Sequence, residues 1–402
     1  MSVSRRDFLH VLGSGRTGSG MAGSFIAARG LEAHLAEAQQ QGRKARALTP
    51  PGTAEIRISS NENPLGPGKV ALDAILGQFP EAGRYPFNST PGEGDLVAAI
   101  ASKYNAKPEN IVMGAGSQEI LKSAVRAFTS PTRALVTASP TFENCTTIAK
   151  QLKHALVEVK VDSNLRLDIE PMIAAAGKGA GLVFFNNPNN PTATVHSAKT
   201  VADFVERVRR ASPDTFVLID EAYHDYVTDP SYQTAIPLAL ETPNVFVART
   251  FSKAYGMAGL RIGYGIGRAE TMKKLAMLKM PYNVSTLGVA AAIASLNDPK
   301  HIEDERNRNT EVRSFTMKAL EDLGCKPTDS QTNFIFVDIH RPAKDFREAC
   351  AKSNVVVGRD FPPFEKTHAR ISIGTMEEMQ KATEVFRNVL RTSTTTTAGK
   401  QQ

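Results

Sequence analysis

Two short stretches, Thr250-Phe251-Ser252-Lys253 and Asp220-Glu221-Ala222-Tyr223, decide the fold and point to a site. Lys253 follows Asp220 by thirty-three residues and precedes Arg261 by eight. The apolar run just before Asp220, Val217-Leu218-Ile219, is typical of a buried strand. A polar residue directly after such a strand lies at a carboxyl edge, where open α/β sheets bind ligands. The spacing therefore predicts a ligand site that contains a lysine, a carboxylate and a tyrosine.

Alternating strands and helices extend outward from this site. The candidate strands cover residues 111–113, 134–137, 182–185, 216–219, 245–248 and 262–266. Amphipathic stretches such as 119–128 and 201–210 lie between them. This alternation predicts an α/β fold whose large domain is a mostly parallel, mixed sheet sandwiched by helices.

A smaller α+β domain is predicted after residue 300. A charged helix (301–323) precedes strand-like 333–337, a helix near 344–352, strand-like 355–357 and 370–373, and a helix ending near 391. Residues 56–60 are expected to pack with this domain. The predicted boundaries are 75–300 for the large domain, 41–74 with 301–391 for the small domain, and 392–402 for a disordered, Thr-rich tail.

Composition excludes several classes of protein. The chain has 402 residues, enough for two domains, and its 41% hydrophobic and 22% charged residues are ordinary for a soluble protein. The chain has no run of about eighteen apolar residues, so we predict no membrane anchor. The net charge is +7, but without a Lys/Arg run we expect a site for anions and no nucleic-acid partner. Three distant cysteines predict neither a disulfide framework nor a metal site.

The N-terminus has the features of an export signal. Ser4-Arg5-Arg6-Asp7-Phe8-Leu9-His10 resembles a twin-arginine motif, and a weakly apolar, Gly-rich segment and Ala36-Glu37-Ala38 follow it. Arg16 interrupts the apolar segment. We predict that residues 1–40 are a signal and linker, and that the twin-arginine machinery exports the protein, for example to the periplasm. A cytoplasmic protein with a basic tail is the alternative.

A lysine, a carboxylate and a tyrosine at these spacings suit pyridoxal phosphate (PLP). The amine of Lys253 can bond to the cofactor's aldehyde carbon, and Asp220 can keep the ring nitrogen protonated, so that the ring withdraws electrons. In these residues the chain resembles the fold type I PLP-dependent transferases, namely the class I/II aminotransferases, and within them the histidinol-phosphate aminotransferase branch. The resemblance spans residues 56–390.

The resemblance also implies a phosphate site. Gly114-Ala115-Gly116-Ser117-Gln118-Glu119 follows a strand and opens a helix, where glycines and helix-start amides can approach a phosphate. With this loop, Thr250, Ser252 and Arg261 would bind the PLP phosphate, and the planar fork of Arg261 suits two oxygens. Gln118 stands where the family has an acidic residue. Alone, the loop would be read as an ordinary tight turn.

Two further stretches are implied to contact the cofactor ring. Phe142 in Pro140-Thr141-Phe142 would stack on the ring, although a core phenylalanine is the plain alternative. Asn190 resembles the family's Asn-Pro-Thr-Gly turn and would share the cofactor's phenolic oxygen with Tyr223. Ala193 stands where that turn has Gly. An Asn/Pro cluster is otherwise only a loop.

The stretches Ser59-Ser60-Asn61-Glu62-Asn63-Pro64-Leu65-Gly66-Pro67 and Arg84-Tyr85-Pro86 resemble the histidinol-phosphate branch in particular. The second stretch implies a homodimer in which Tyr85 reaches the PLP phosphate of the neighbouring subunit. The implied substrate contacts are Asn63, Arg359 and Arg370. The two arginines would bind anionic groups of the substrate, and surface arginines are the alternative.

The resemblance implies transamination, with Lys253 as general base and acid. The amino group would move between an amino acid, or an amino-alcohol phosphate such as histidinol phosphate, and a 2-oxo acid. A PLP-dependent decarboxylase of a phosphorylated amino acid shares these motifs, and a non-catalytic PLP-binding protein is a third reading. The residues do not name the substrate. The export-like N-terminus favours an exported paralogue with another amino-acid substrate over histidine biosynthesis, which is cytoplasmic.

Overall fold

The computed structural model describes residues 55–391, so the predicted signal (1–40) and tail (392–402) lie outside the described residues. The strands are β1 Ile56–Ile58, β2 Ile111–Ala115, β3 Leu135–Ser139, β4 Leu156–Lys160, β5 Leu182–Asn186, β6 Phe216–Asp220, β7 Val245–Thr250, β8 Ile262–Gly267, β9 Lys326–Pro327, β10 Phe334–Asp338, β11 Val355–Val357 and β12 His368–Ser372. The α-helices are α1 Lys69–Gln78, α2 Glu93–Lys103, α3 Ser117–Phe128, α4 Asn144–Leu152, α5 Ile169–Ala176, α6 Ala198–Ala211, α7 Ile236–Glu241, α8 Ala269–Ala276, α9 Thr286–Leu296, α10 Pro299–Glu321, α11 Ala343–Ala351 and α12 Met376–Arg391.

A seven-stranded sheet in the order β2-β8-β7-β6-β5-β3-β4 carries the site. The pairs from β7 through β4 are parallel, and β8 is antiparallel to both of its neighbours. Strands β5 to β8 are buried along their whole length, which explains the apolar runs that begin β5, β6 and β7. The predicted fold class, an α/β fold with a mostly parallel, mixed sheet, is confirmed.

Helices cover both faces of this sheet. Alternate residues of a strand point to opposite faces, and in β5 the side chains of Val183 and Phe185 enter one core, whereas those of Leu182 and Phe184 enter the other. The first core packs against α2, α5, α6 and α9, and the second against α3, α4 and α8. This sandwich holds the carboxyl ends of β5, β6 and β7 in a fixed arrangement.

A third core lies in the C-terminal part of the chain. Here β10 pairs in antiparallel fashion with β12 and β9, and α10, α11 and α12 contribute buried side chains. Strand β1 joins this core by parallel pairing with β11, so Ile56 lies opposite Val355. The predicted domain boundaries stay predictions. The pairing of β1 with β11 fixes the position of the residues that follow β1, Ser59 to Asn61, beside the site.

Strand β4 is an element that the sequence did not reveal. Its residues, Leu156 to Lys160, are only half-buried or exposed, because β4 is an edge strand of the sheet. The helix expected at 301–323 begins earlier, at Pro299, after Asp298 accepts a hydrogen bond from the His301 amide through its side chain. Within residues 55–391, no helix is long and apolar enough to cross a lipid bilayer.

Candidate active site

A cavity of ≈ 270 Å³ opens at the carboxyl ends of β5, β6 and β7. It brings together most of the site residues predicted from the sequence: Ser117, Phe142, Asn190, Asp220, Tyr223, Thr250, Ser252, Lys253, Arg261, Arg359 and Arg370. Side chains that the sequence reasoning did not assign complete the lining: Ser60, Asn61, Glu62, Gln118, Asn186, Ala222 and Ala258.

Asp220 is the last residue of β6 and is 2% exposed. Its Oδ1 accepts a hydrogen bond from the Ala222 amide at 3.1 Å. Burial raises the pKa of this carboxyl to about 7; the Ala222 amide and Lys253 oppose the shift, and Glu221 adds to it. A cation placed against Asp220 would therefore gain a strongly favourable partner.

The neighbouring carboxylate, Glu221, has a different task. Its Oε2 accepts from Arg249 Nε at 2.8 Å, and both side chains are almost fully buried. Its Oε1 accepts from the Ala235 amide at 2.6 Å, and Thr234 Oγ1 donates to Oε2 at 2.8 Å. Because Glu221 is satisfied within the chain, Asp220 is the carboxylate of this pair that can serve a ligand.

Lys253 follows β7 and places its amine inside the cavity. The Nζ atom donates to the carbonyl oxygens of Asn61 at 3.1 Å and Ser60 at 3.4 Å. It lies 5.5 Å from the centre of the Tyr223 ring. Carbonyl oxygens orient the amine, and it forms no salt bridge with a carboxylate among residues 55–391. The amine therefore stays available to a ligand.

Asn61 connects the lysine to the tyrosine. Its Nδ2 donates to the Tyr223 hydroxyl at 3.1 Å, and its Oδ1 accepts from Ser372 Oγ at 2.7 Å. Asn190 Nδ2 also points at that hydroxyl, at 3.4 Å. Sequence reasoning missed Asn61, although it lies inside the branch-like stretch 59–67. Its φ of 55°, a conformation that Asn tolerates better than most residues, was not readable from sequence.

The loop before α3 and the residues after β7 form a cradle. Arg261 Nη1 donates to Ala258 O at 2.9 Å and Ser252 Oγ at 3.3 Å, and Nη2 donates to Ala115 O at 3.2 Å. Gly116 has a φ of +75°, and a Cβ there would lie 2.2 Å from Arg261 Nη2. Only glycine therefore allows Arg261 to lie against this loop.

Thr250 and Ser252 supply hydroxyls beside this cradle, and Thr250 Oγ1 donates to Ser252 Oγ at 2.9 Å. Ser117 opens the twelve-residue helix α3, whose first amides lack partners within the helix. Amides at a helix start, hydroxyls and one guanidinium make a donor set that fits a phosphate.

Two arginines from the C-terminal part of the chain reach the opposite side of the cavity. Arg370 in β12 is 7% exposed; its Nη1 donates to Asn190 Oδ1 at 2.8 Å and its Nη2 to Ser59 O at 2.7 Å. Its Nε is buried without a hydrogen-bond partner in the described part of the chain. Burial, the largest cause, and the charge of Arg359 together lower the pKa of Arg370 to about 10, whereas Tyr223 and Glu143 oppose the shift. A ligand carboxylate would satisfy both the charge and the unpaired donor.

Four predicted site residues are not in the cavity lining: Ala115 and Gly116, which belong to the cradle with Arg261, and Tyr85 and Asn63. Tyr85 is 62% exposed and packs against Tyr282, with ring centres 4.6 Å apart. Asn63 is buried and uses its side chain locally, donating to Ala254 O at 3.0 Å and accepting from the Leu65 amide at 2.9 Å. Their predicted contacts with cofactor and substrate stay predictions.

Comparison with known proteins places this geometry in a family. Residues 53–386 match the family "Aminotransferase class I and II". A histidinol-phosphate aminotransferase of Moorella thermoacetica is 35% identical over 340 residues, covering 83% of this chain and 85% of the relative. One from Brevibacillus brevis is 34% identical, covering 84% of this chain and 91% of the relative. The crystal structure of histidinol-phosphate aminotransferase from Sinorhizobium meliloti with pyridoxal-5′-phosphate has a TM-score of 0.77 and 27% identity, and covers 98% of this chain and 99% of that one.

The residues present fit PLP on chemical grounds. The cradle at Gly116 and Arg261 suits its phosphate, the buried Asp220 suits a protonated ring nitrogen, and Lys253 has a free amine for its aldehyde carbon. The predictions of PLP as cofactor and of aminotransferase activity are confirmed by the family match. The chain belongs to the class I and II aminotransferases and is a PLP-dependent enzyme of that family.

Proposed function

We propose that the enzyme moves an amino group from an amino acid, or from an amino-alcohol phosphate such as histidinol phosphate, to a 2-oxo acid. The observation that carries this proposal is the convergence of Lys253, Asp220 and Arg370 on one cavity. When bound, PLP supplies an electron-withdrawing ring that stabilises negative charge at the substrate's α-carbon.

The chain's own residues divide the remaining work. Arg370 would bind the substrate carboxylate and so fix the α-carbon near Lys253. The Lys253 Nζ would remove the proton at that carbon and deliver it to the aldehyde carbon of the cofactor. Asp220 would keep the ring nitrogen protonated, and the positive charge of that nitrogen would in turn keep the Asp220 carboxylate ionised. The hydroxyl of Tyr223 and the amide of Asn190 lie together, and would bind the phenolic oxygen.

The names of the relatives support an amino-alcohol phosphate as one substrate, since both the Moorella and the Brevibacillus proteins are histidinol-phosphate aminotransferases. The pair Arg359 and Arg370 supports an anionic substrate in the same way. The export-like N-terminus instead favours an amino acid outside histidine biosynthesis. Either substrate would present an anionic group to these arginines, a carboxylate in the amino acid or a phosphate in the amino-alcohol phosphate, so an experiment must decide between them.

The test is a screen of purified holoenzyme against amino donors, histidinol phosphate among them, and 2-oxo acids. We expect one new amino acid for each donor molecule that loses its amino group, without release of carbon dioxide. Carbon dioxide without amino transfer would show a decarboxylase instead. A cofactor-loaded protein that yields no product with any pair would favour the non-catalytic binding reading.

We also propose that the enzyme is a homodimer whose two sites are shared. An exposed aromatic cluster supports this proposal: Tyr85, Phe87 and Tyr282 are each more than half exposed and pack on one another. Large exposed apolar groups of this kind mark interaction surfaces. In a two-fold dimer, Tyr85 of one subunit would reach the PLP phosphate of the other.

Mixing two variants, each impaired at a different residue of the shared site, tests this arrangement. Tyr85→Ala is expected to weaken PLP binding, because it removes a hydroxyl donor, and Lys253→Ala removes the catalytic amine. In a mixed dimer one site carries both lesions and the other carries none. After verified subunit exchange, the activity of the mixture should therefore rise above that of either variant alone. No recovery of activity, or full activity of Tyr85→Ala alone, would remove Tyr85 from the partner's site.

We propose, finally, that residues 1–40 direct export by the twin-arginine machinery. The support is the order of Arg5-Arg6, a weakly apolar segment and Ala36-Glu37-Ala38. Replacing Arg5 and Arg6 together by lysine keeps the charge, and should trap the protein in the cytoplasm of a host that has this machinery. Immunoblots of cell fractions measure the result; equal periplasmic amounts of variant and parent would contradict the proposal.

A further inference from the structure

An ion pair lies beside the cavity: Arg359 is one of the residues that line it, and its partner Glu143 adjoins the lining residue Phe142. Glu143 directly precedes α4 on the sheet side, and Arg359 follows β11 in the C-terminal part. Arg359 Nη2 lies 2.5 Å from Glu143 Oε2, although the two residues are 216 positions apart in the chain. The side chains of Arg359 and Glu143 are 54% and 41% exposed, so the pair is open to solvent on the side of the cavity that Arg359 lines.

The Glu143 carboxylate has no competing role within the described chain. It stands at the N-cap position of α4 but makes no side-chain hydrogen bond to the helix amides. It is also near enough to affect Arg370, whose pKa it pushes up while Arg359 pushes it down. The carboxylate therefore lies close to both arginines and contacts one of them.

The two arginines differ in whether their charge is already paired with an anion. Both guanidiniums stack on Phe361, with 4.3 Å from its ring centre to Cζ of Arg359 and 4.6 Å to Cζ of Arg370. Arg370 keeps an unpaired, buried Nε. Arg359 already has an anionic partner. A first substrate anion thus finds a free cation at Arg370, whereas a second anion must compete with Glu143 for Arg359.

We propose that Glu143 is a positioning residue that sets substrate specificity: by holding Arg359, it favours substrates with one anionic group over substrates with a second, distal anion. The proposal rests on the proposed function, in which Arg370 binds the substrate carboxylate. A distal carboxylate or phosphate must displace Glu143 and then lie beside its negative charge. Like charges placed together at a binding surface disfavour the wrong partner.

A matched pair of ligands tests this without turnover. Pentanoate and glutarate have the same carbon chain, and glutarate carries a second carboxylate at the far end. Each is titrated into holoenzyme, with the absorbance of the bound cofactor as the signal. We expect Glu143→Gln to tighten glutarate binding by about threefold to tenfold and to change pentanoate binding by less than about twofold. Because both side chains are exposed, we expect the variant to fold normally, and circular dichroism checks that it does.

Two control variants isolate the effect. Glu62→Gln removes one negative charge from the same cavity, but Glu62 makes no ion pair with Arg359. It should therefore change the glutarate-to-pentanoate ratio by less than Glu143→Gln does. In an Arg359→Gln background, Glu143→Gln should no longer tighten glutarate, because the cation that it would release is absent.

Three results would overturn the proposal: equal changes for both ligands in Glu143→Gln, an unchanged glutarate affinity, or glutarate that binds to neither parent nor variant. Failure of the proposed function looks different. If the holoenzyme binds both ligands and no donor and acceptor pair reacts, the specificity ratio is still measured. If transamination occurs and Glu143→Gln does not change the ratio of glutarate to pentanoate affinity, the proposed function stands and the proposal for Glu143 is wrong.

Discussion

Lys253→Ala is expected to lower turnover by at least about 10³-fold, because it removes the amine that would both bond to the cofactor and move the proton. Other contacts to the cofactor remain in this variant, so PLP should still bind, but without a covalent link. Borohydride treatment followed by peptide mass spectrometry measures that link. The parent protein should carry the reduced cofactor on the peptide that contains Lys253.

Lys103→Ala is a suitable control for this experiment. The Lys103 amine lies outside the cavity lining and donates to the Tyr255 hydroxyl at 3.3 Å. This variant should be labelled at Lys253 in the same way as the parent. Labelling of any other lysine in the parent protein would show that the assignment of the whole site is wrong.

Asp220→Asn should lower turnover by several orders of magnitude while cofactor binding persists. The substitution keeps the size of the side chain but removes the negative charge that would stabilise a protonated ring nitrogen. A loss of about 4 kcal/mol of transition-state stabilisation corresponds to roughly 10³-fold in rate. Single-turnover absorbance measurements separate cofactor binding from the chemical step. Near-normal turnover would remove Asp220 from the mechanism.

The same substitution should stabilise the cofactor-free protein at alkaline pH. The pKa of Asp220 is raised to about 7 in the folded protein, whereas an unfolded aspartate titrates near its ordinary value of about 3.9. The folded state therefore binds the proton more tightly, and stability falls as pH rises from about 4 to about 7. Thermal unfolding of the cofactor-free parent should show this fall, and Asp220→Asn should lack it.

Glu221→Gln provides the contrast for that measurement. This residue is buried beside Asp220, but it is paired with Arg249 at 2.8 Å. Removing one partner leaves an uncompensated buried charge, which costs about 3–5 kcal/mol. The variant should lose stability at both pH 5 and pH 8. If both variants behave alike, the special position of Asp220 is not supported.

The parts of the site that the sequence predicts are those whose signal is local. Asp220 ends the apolar strand β6 and Lys253 lies three residues after β7, so their place at the carboxyl edge of the sheet can be derived from neighbours in the chain. The partners of Lys253 could not be derived in this way. Asn61 lies 192 residues away and reaches the lysine only because β1 pairs with β11.

Elements at the margin of the fold were also hidden from sequence reasoning. The exposed edge strand β4 lacks the apolar run that marks the central strands. Glu143 follows Phe142 and gives no sign of its partner, because its ion pair with Arg359 depends on how distant parts of the chain pack. Ala193, in place of the usual Gly, does adopt the left-handed conformation that Gly favours, with a φ of 63°.

The pairing of β1 with β11 also orders events during synthesis. Lys253 leaves the ribosome well before Val355, the residue that anchors Ile56, and before Ser372, which holds Asn61 across 311 residues. Contacts so distant in sequence form late, because a long loop must close first. A chain arrested before residue 355 would contain the lysine and the Ser60 and Asn61 carbonyls, but not the strand that holds those carbonyls in place. We therefore expect a finished site, and tight capture of the cofactor, only after β11 and β12 have been synthesised.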